Sequence, residues 1–238
     1  MSVPTQRFRV DYNNSYCDWR GELAALKDKD SFVFIVNEQF MIEVEKKFIL
    51  TSQMEKHLKK GAKYLGEKVF MDTYFDKSDF ELTKNDIWLR TRDKQTELKM
   101  PIDKNGEHDK VNFNRYEEFT GEKEVRQMLN IPFGNDFLSD LKLCGYIPFV
   151  SITTRRENLK NKQFDISIDA CDFGYALAEI ELMVEKEEQI KEAEKQIAAF
   201  AVQCGLKISS VRGKVIEYLY RKSPEHYKIL LEEGTVVE

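Results

Sequence analysis

Ile42-Glu43-Val44-Glu45-Lys46-Lys47-Phe48 is the stretch on which the reading of this chain turns. At strand spacing, Ile42, Val44 and Phe48 share one face and Glu43, Glu45 and Lys47 the other. One face can pack, and the other carries two carboxylates and an ammonium in a row. Coiled as a helix, the same letters would scatter charge around the cylinder, and the β-branched Ile42 and Val44 also favour a strand. An isolated pattern of this kind is most often a strand with one solvated face.

Repetition changes that reading. Residues 68–75 set Val69, Met71 and Thr73 against Phe70, Asp72 and Tyr74. In 86–92, Ile87 and Leu89 oppose Asp86, Trp88, Arg90 and Arg92; two arginines two residues apart form a fork array suited to phosphate oxygens. Residues 96–100 set Leu98 and Met100 against Glu97 and Lys99, and 115–120 place Tyr116 with Glu118. Residues 149–156 set Val150 and Ile152 against Ser151, Thr153 and Arg155. Phe164, Ile166 and Ile168 oppose Asp165, Ser167 and Asp169, and a last strand over 175–184 carries Glu179 and Glu181 on its polar face. That makes about eight strands, the number at which a closed barrel becomes geometrically natural.

Helical patterns fall between and after the strands. Thr51 or Ser52 caps a helix ending before Gly61, and shorter helices are expected at 121–130 and 136–143. The C-terminal part reads as three helices: 187–204, 211–221 with Lys214 among apolar residues, and one opened by Ser223-Pro224. The expected class is therefore α+β, a closed eight-stranded antiparallel barrel with helices packed outside. Residues 1–38 read as an irregular extension, poorly ordered or loosely docked, without the chemistry, and 39–238 as one domain.

The 238 residues are 33% charged, with a net charge of −5. No global basic field points to a nucleic-acid partner, so any anionic substrate must be drawn by local basic residues. Cys17, Cys144, Cys171 and Cys204 show no CxxC spacing and suggest a reduced compartment. The histidines lack zinc-ligand spacing, and no apolar run approaches the ~20 residues of a membrane span.

The charged faces sort into acids (Glu43, Glu45, Glu118, Asp169, Glu179, Glu181) and bases (Lys47, Arg90, Arg92, Lys99, Arg155, with Lys214 from a helix). Packing so many ions into a dry core would cost more than folding can offset. A wet tunnel that holds a divalent cation and a polyanion resolves the conflict. Oxygen ligands without His/Cys clusters select Mg²⁺ or Mn²⁺ over zinc, and metal-assisted attack of water on a phosphoanhydride fits the inventory.

These residues resemble the CYTH, or triphosphate tunnel metalloenzyme, superfamily, whose ExExK opening is similar to Glu43-x-Glu45-x-Lys47. Asp72-Thr73-Tyr74-Phe75-Asp76, Trp88-Leu89-Arg90-x-Arg92, Glu97-Leu98-Lys99-x-Pro101 and Asp172-Phe173-Gly174-Tyr175-Ala176 with Glu179-x-Glu181 look more specifically like its animal thiamine triphosphatase branch. The resemblance implies an eight-stranded tunnel and Mg²⁺-dependent hydrolysis of thiamine triphosphate to thiamine diphosphate and phosphate. It also implies a cytosolic monomer acting on a small molecule. Glu43, Glu45, Glu179, Glu181 and Asp169 would be metal ligands, directly or through water. Lys47, Arg90, Arg92, Lys99, Arg155 and Lys214 would clamp the triphosphate, with Lys47, Arg155 and Glu118 nearest the chemistry. Trp88 and Tyr74 would stack on the cationic thiazolium. Ser167-Ile168-Asp169 departs from the family's Asp-x-Asp, which implies weaker metal affinity. Two alternatives stay open: the same fold acting on inorganic triphosphate or nucleoside triphosphates, and a polyphosphate-binding module that does not hydrolyse.

Overall fold

The structure, a computed structural model, describes residues 42–102, 114–134 and 136–236. The extension expected at 1–38 lies outside the described residues. In chain order the elements are β1 Ile42–Phe48, α1 Ser52–Lys59, β2 Lys63–Asp76, β3 Trp88–Arg92, β4 Gln95–Pro101, β5 Asn114–Thr120, α2 Glu122–Leu129, α3 Phe137–Leu143, β6 Ile147–Asn161, β7 Phe164–Cys171, β8 Tyr175–Val184, α4 Ile190–Gln203, α5 Lys214–Lys222 and α6 Pro224–Glu232. The eight strands close into an antiparallel barrel in the order β1-β5-β4-β3-β2-β6-β7-β8, with β8 paired back onto β1. Closure gives every strand two paired neighbours, which removes the edge strands of an open sheet.

The alternation expected along β1 is what turns Glu43 and Glu45 inward and lets Val44 and Phe48 pack outward. Ile42, Val44 and Phe48 join Ile166 of β7 and Ile180 of β8 beneath Ile197 and Ala201 of α4 and Leu58 of α1. On the opposite outer wall, Leu89, Leu98 and Phe119 pack against Val125 of α2 and Leu141 of α3. Hydrophobic burial thus drives the outer surface of the barrel, which leaves the inner surface for charge.

A third apolar cluster sits at one end of the barrel. Tyr74, Trp88, Ile152 and Leu177 share strand faces with the charged inner positions, and they pack against Val215 and Leu219 of α5 and Leu230 of α6. These two helices therefore cover an end of the bore, while α4 covers its side.

Strands β2 and β6 run longer than their apolar alternation indicates. Their extra residues pair with each other, from Lys63 opposite Lys160 to Lys68 opposite Arg156, across a register shift beside Gly66. Gly66 has φ 126°, a conformation that residues with a Cβ rarely adopt. Most side chains of this arm are exposed or half-buried, Leu159 excepted, so ladder hydrogen bonds carry it and hydrophobic periodicity has little there to report. Asp86 is a second difference: it lies outside β3, at φ 59° after a short helical turn.

Candidate active site

Inward-facing residues of the barrel, together with the loop and first turn of α5, enclose a cavity of about 320 Å³, at the lower end of the usual range for small-molecule sites. Its lining includes Glu45, Lys47, Tyr74, Trp88, Arg90, Arg92, Lys99, Glu118, Glu179, Glu181 and Lys214, all expected from the sequence.

The β1/β8 wall is acidic. Glu45 lies directly across from Glu181, and Lys47 from Glu179. One oxygen each of Glu43, Glu45 and Glu181 lies within 4.8 Å of the others. Burial raises the pKa of Glu43 and Glu45, while Lys99 and Lys47 pull the other way. Glu181 is pushed well up by burial and by repulsion from Glu43, Glu179 and Glu45. A divalent cation would relieve that repulsion, and a set of hard carboxylate oxygens without nitrogen or sulfur donors suits Mg²⁺ or Mn²⁺. Lys99 Nζ sits 2.8 Å from both Glu43 oxygens and 2.7 Å from Glu118 Oε1, so Glu118 helps position the lysine.

The facing wall is basic, and its acids serve the bases. Asp72 accepts from Arg92 Nε at 2.8 Å and Nη2 at 3.2 Å, with Lys214 Nζ 3.8 Å and Arg90 Nη1 3.9 Å away. Burial alone would raise its pKa, but Arg90, Arg92 and Lys214 hold it below the usual carboxylate range. Asp169 accepts from Arg156 Nε and Nη2, both at 2.6 Å, and from Lys214 Nζ at 2.7 Å. Arg90 is fixed by Glu97, its direct cross-strand neighbour, through Nε at 2.9 Å. Phe70 floors this region, its ring centroid 4.1 Å from the Arg92 guanidinium and 5.3 Å from Lys214 Nζ.

Two expectations change. Arg155 does not reach the cavity: its side chain is 58% exposed on the outer face and pairs with Glu67 at 3.1 Å. Arg156 takes the inner position and reaches Glu179 at 2.7 Å. The phase follows from Val150 and Ile152, which face inward under α5 and α6 rather than outward, so Thr154 and Arg156 continue their face. Asp169 belongs to the basic wall, bracketed by Arg156 and Lys214, rather than to the three-carboxylate group. Glu179 also leans toward that wall: burial opposes its charge, but Arg156 and Lys47 hold its pKa below normal, and Ser167 Oγ donates to it at 3.3 Å.

Sequence reasoning gave no role to Asp72, Glu97, Arg156 or Asp86. Asp72 and Glu97 were visible on the same faces as Tyr74 and Lys99. Asp86 was read onto the face of Trp88 as part of the strand, whereas its left-handed backbone sets it just before β3.

A closed antiparallel barrel whose bore carries an acidic wall against a basic wall defines a class of proteins that grip a polyanion together with a cation. The chain belongs to the CYTH domain family, which matches residues 41–212. The thiamine-triphosphatases of Macaca fascicularis and Homo sapiens are each 31% identical to it over 214 residues, 82% of this chain and 91% of each relative. A solved structure from Pyrococcus horikoshii shares the fold with a TM-score of 0.55 at 18% identity, covering 76% of this chain and 99% of that one.

Proposed function

We propose that this chain hydrolyses thiamine triphosphate to thiamine diphosphate and phosphate, with Mg²⁺ as the physiological cation and Mn²⁺ as a substitute. The observation that carries the reading is one cavity lined by Glu45 and Glu181 of the three-carboxylate cluster, by the Arg90/Arg92/Arg156/Lys214 wall and by the Trp88 and Tyr74 rings. Kinship with enzymes that carry the name thiamine-triphosphatase supports the substrate.

Glu43, Glu45 and Glu181 would hold the cation, with Glu179 reaching it through water. When bound, the cation supplies electrophilic stabilisation to the phosphoryl oxygens. Arg90, Arg92, Arg156 and Lys214 bind the triphosphate, and Asp72, Asp169 and Glu97 hold those cations in place. Lys47 and Lys99 stand between the two walls, where charge grows on the bridging oxygen as water attacks the terminal phosphorus. Fixed cations aimed at that charge stabilise the transition state more than the bound substrate. Trp88 and Tyr74 supply aromatic faces for the thiazolium.

The same reading places the enzyme in the cytosol as a monomer. No helix of the described residues is long and apolar enough to cross a membrane.

The test is a kinetic panel of thiamine triphosphate, ATP and inorganic triphosphate, each across a Mg²⁺ series and with EDTA. Thiamine triphosphate should have the highest kcat/KM, and EDTA should abolish phosphate release. Equal kcat/KM for thiamine triphosphate and inorganic triphosphate would remove the assigned substrate, and turnover that survives EDTA would remove the metal.

A further inference from the structure

Asp86 lies just before β3, and its carboxylate lines the cavity beside Trp88. Its backbone is left-handed, at φ 59°, a conformation that Asp, Asn and Gly tolerate better than other residues. The kink brings one oxygen, Oδ1, within 2.8 Å of Trp88 Nε1 and 2.9 Å of the Tyr116 hydroxyl, both of which donate to it. Trp88 belongs to β3 and Tyr116 to β5, strands separated by β4 in the barrel. A single carboxylate oxygen therefore ties together the edges of two rings that no direct strand pairing would align. Tyr74, the third aromatic lining this part of the cavity, is held differently: its hydroxyl accepts from Arg90 Nη1 at 3.4 Å.

The chemistry of that anchor bears on which ligand the rings prefer. An indole or phenol that donates to a carboxylate is polarised, with electron density pushed into the ring, and a richer ring attracts a cation more strongly. The carboxylate also adds a negative charge to the rim of a cavity whose deeper parts are strongly basic on one side. A neutral ring gains nothing from either effect, and a bare triphosphate is repelled by the second.

We propose that Asp86 is a positioning residue that sets specificity: it aligns Trp88 and Tyr116 and biases the aromatic end of the cavity toward a positively charged heteroaromatic ring. This rests on the reading that the substrate carries such a ring, and it adds the residue that selects for the ring's charge.

Two substitutions separate the two halves of the role. In Asp86→Asn the amide oxygen can accept both hydrogen bonds and the left-handed backbone is tolerated, so the charge alone is lost. In Asp86→Gly the backbone conformation is kept and both acceptors are removed. KM and kcat are measured for thiamine triphosphate and inorganic triphosphate at saturating Mg²⁺. Asp86→Asn should raise KM for thiamine triphosphate about fivefold with kcat within about twofold, the loss of one partly screened charge contact. Asp86→Gly should raise it about twentyfold, as the rings lose their alignment as well. The preference for thiamine triphosphate over inorganic triphosphate should narrow by the same factors. Equal shifts for both substrates would make Asp86 a purely structural residue and overturn the proposal.

A binding measurement decides the matter without turnover. Quenching of Trp88 fluorescence by thiamine diphosphate is followed in a Trp19→Phe background, because Trp19, outside the described residues, is the second tryptophan of the chain. Half-quenching should move upward in Asp86→Asn by the factor seen in KM, and an unmoved titration would overturn the proposal. A wild-type enzyme that does not favour thiamine triphosphate would sink the assigned substrate, while the quenching series would still judge Asp86. If Asp86→Gly fails to fold, Asp86→Asn decides alone.

Discussion

On the β1/β8 side of the bore, Glu43, Glu45 and Glu181 converge until burial and mutual repulsion raise their pKa values. On the β2/β7 side, Asp72 and Asp169 are buried as deeply, but each is bracketed by basic groups. The same functional group is therefore held in two opposite electrostatic states. One set is crowded so that a cation is welcome, and the other is spent on fixing arginines and Lys214. The lesson is that an inward-facing carboxylate in such a barrel takes its role from its nearest charges, not from its face of the strand.

The sharpest test pits one residue of each set against the other. Glu181→Gln removes a like charge from a crowded group, so the metal-free protein should be as stable as wild type or more so. Its turnover should fall by about 10²–10³, the usual cost of removing one key electrostatic contact, and the thermal shift on adding Mg²⁺ should disappear. Asp72→Asn does the reverse. It leaves Arg92 and Lys214 short of a buried counter-charge and should cost about 3 kcal/mol or more of stability, read from urea denaturation. If both variants destabilised the metal-free protein equally, the two walls would not differ in kind.

The second test asks which arginine serves the basic wall. Arg156→Ala should lower kcat/KM for thiamine triphosphate by about 10²-fold, because it removes the contacts to Asp169 and Glu179 together with the clamp. Arg155→Ala removes an exposed pair with Glu67, and such pairs contribute ~0–1 kcal/mol, so turnover should change by less than about twofold. A reversed order would mean that β6 is out of phase by one residue.

That arginine pair also shows how far the sequence could be read. The bounds of β1 and β8 were legible to the residue, since Ile42, Val44 and Phe48 oppose Glu43, Glu45 and Lys47, and Ala178, Ile180 and Leu182 oppose Glu179 and Glu181. The acidic cluster followed, because all three of its members lie on those two strands. β6 was harder, for a physical reason. Its inner face changes from apolar at Val150 and Ile152, where α5 and α6 cover the bore, to polar at Thr154 and Arg156. Reading the apolar residues as outward put Arg155 in the cavity and Arg156 outside it. Alternation identifies which residues share a face; only packing against other elements shows which face is inner. The bracketing of Asp169 was invisible for a related reason, since it depends on Lys214 arriving from a helix distant in sequence.

The smallest effect guards the comparison against a misassignment. Acid titration of either wall would be read through stability, and a buried group outside both walls also costs stability on acidification. His226 of α6 is buried, stacked on Phe80 at 3.8 Å, with Nε2 2.8 Å from Thr83 Oγ1. Burial pushes its pKa down to about 4, with Asp76 opposing slightly. The folded state thus holds it neutral while the unfolded chain takes up a proton near pH 6.5. Stability is therefore full above about pH 6.5 and falls as the pH drops toward 4, with a loss of ~2 kcal/mol already at pH 5. Urea unfolding at pH 7 and pH 5 should show this difference in wild type and lose it in His226→Gln. A loss that survives the substitution would have a source other than His226 or Asp72, because the depressed pKa of Asp72 gives up stability only below the ordinary carboxylate range.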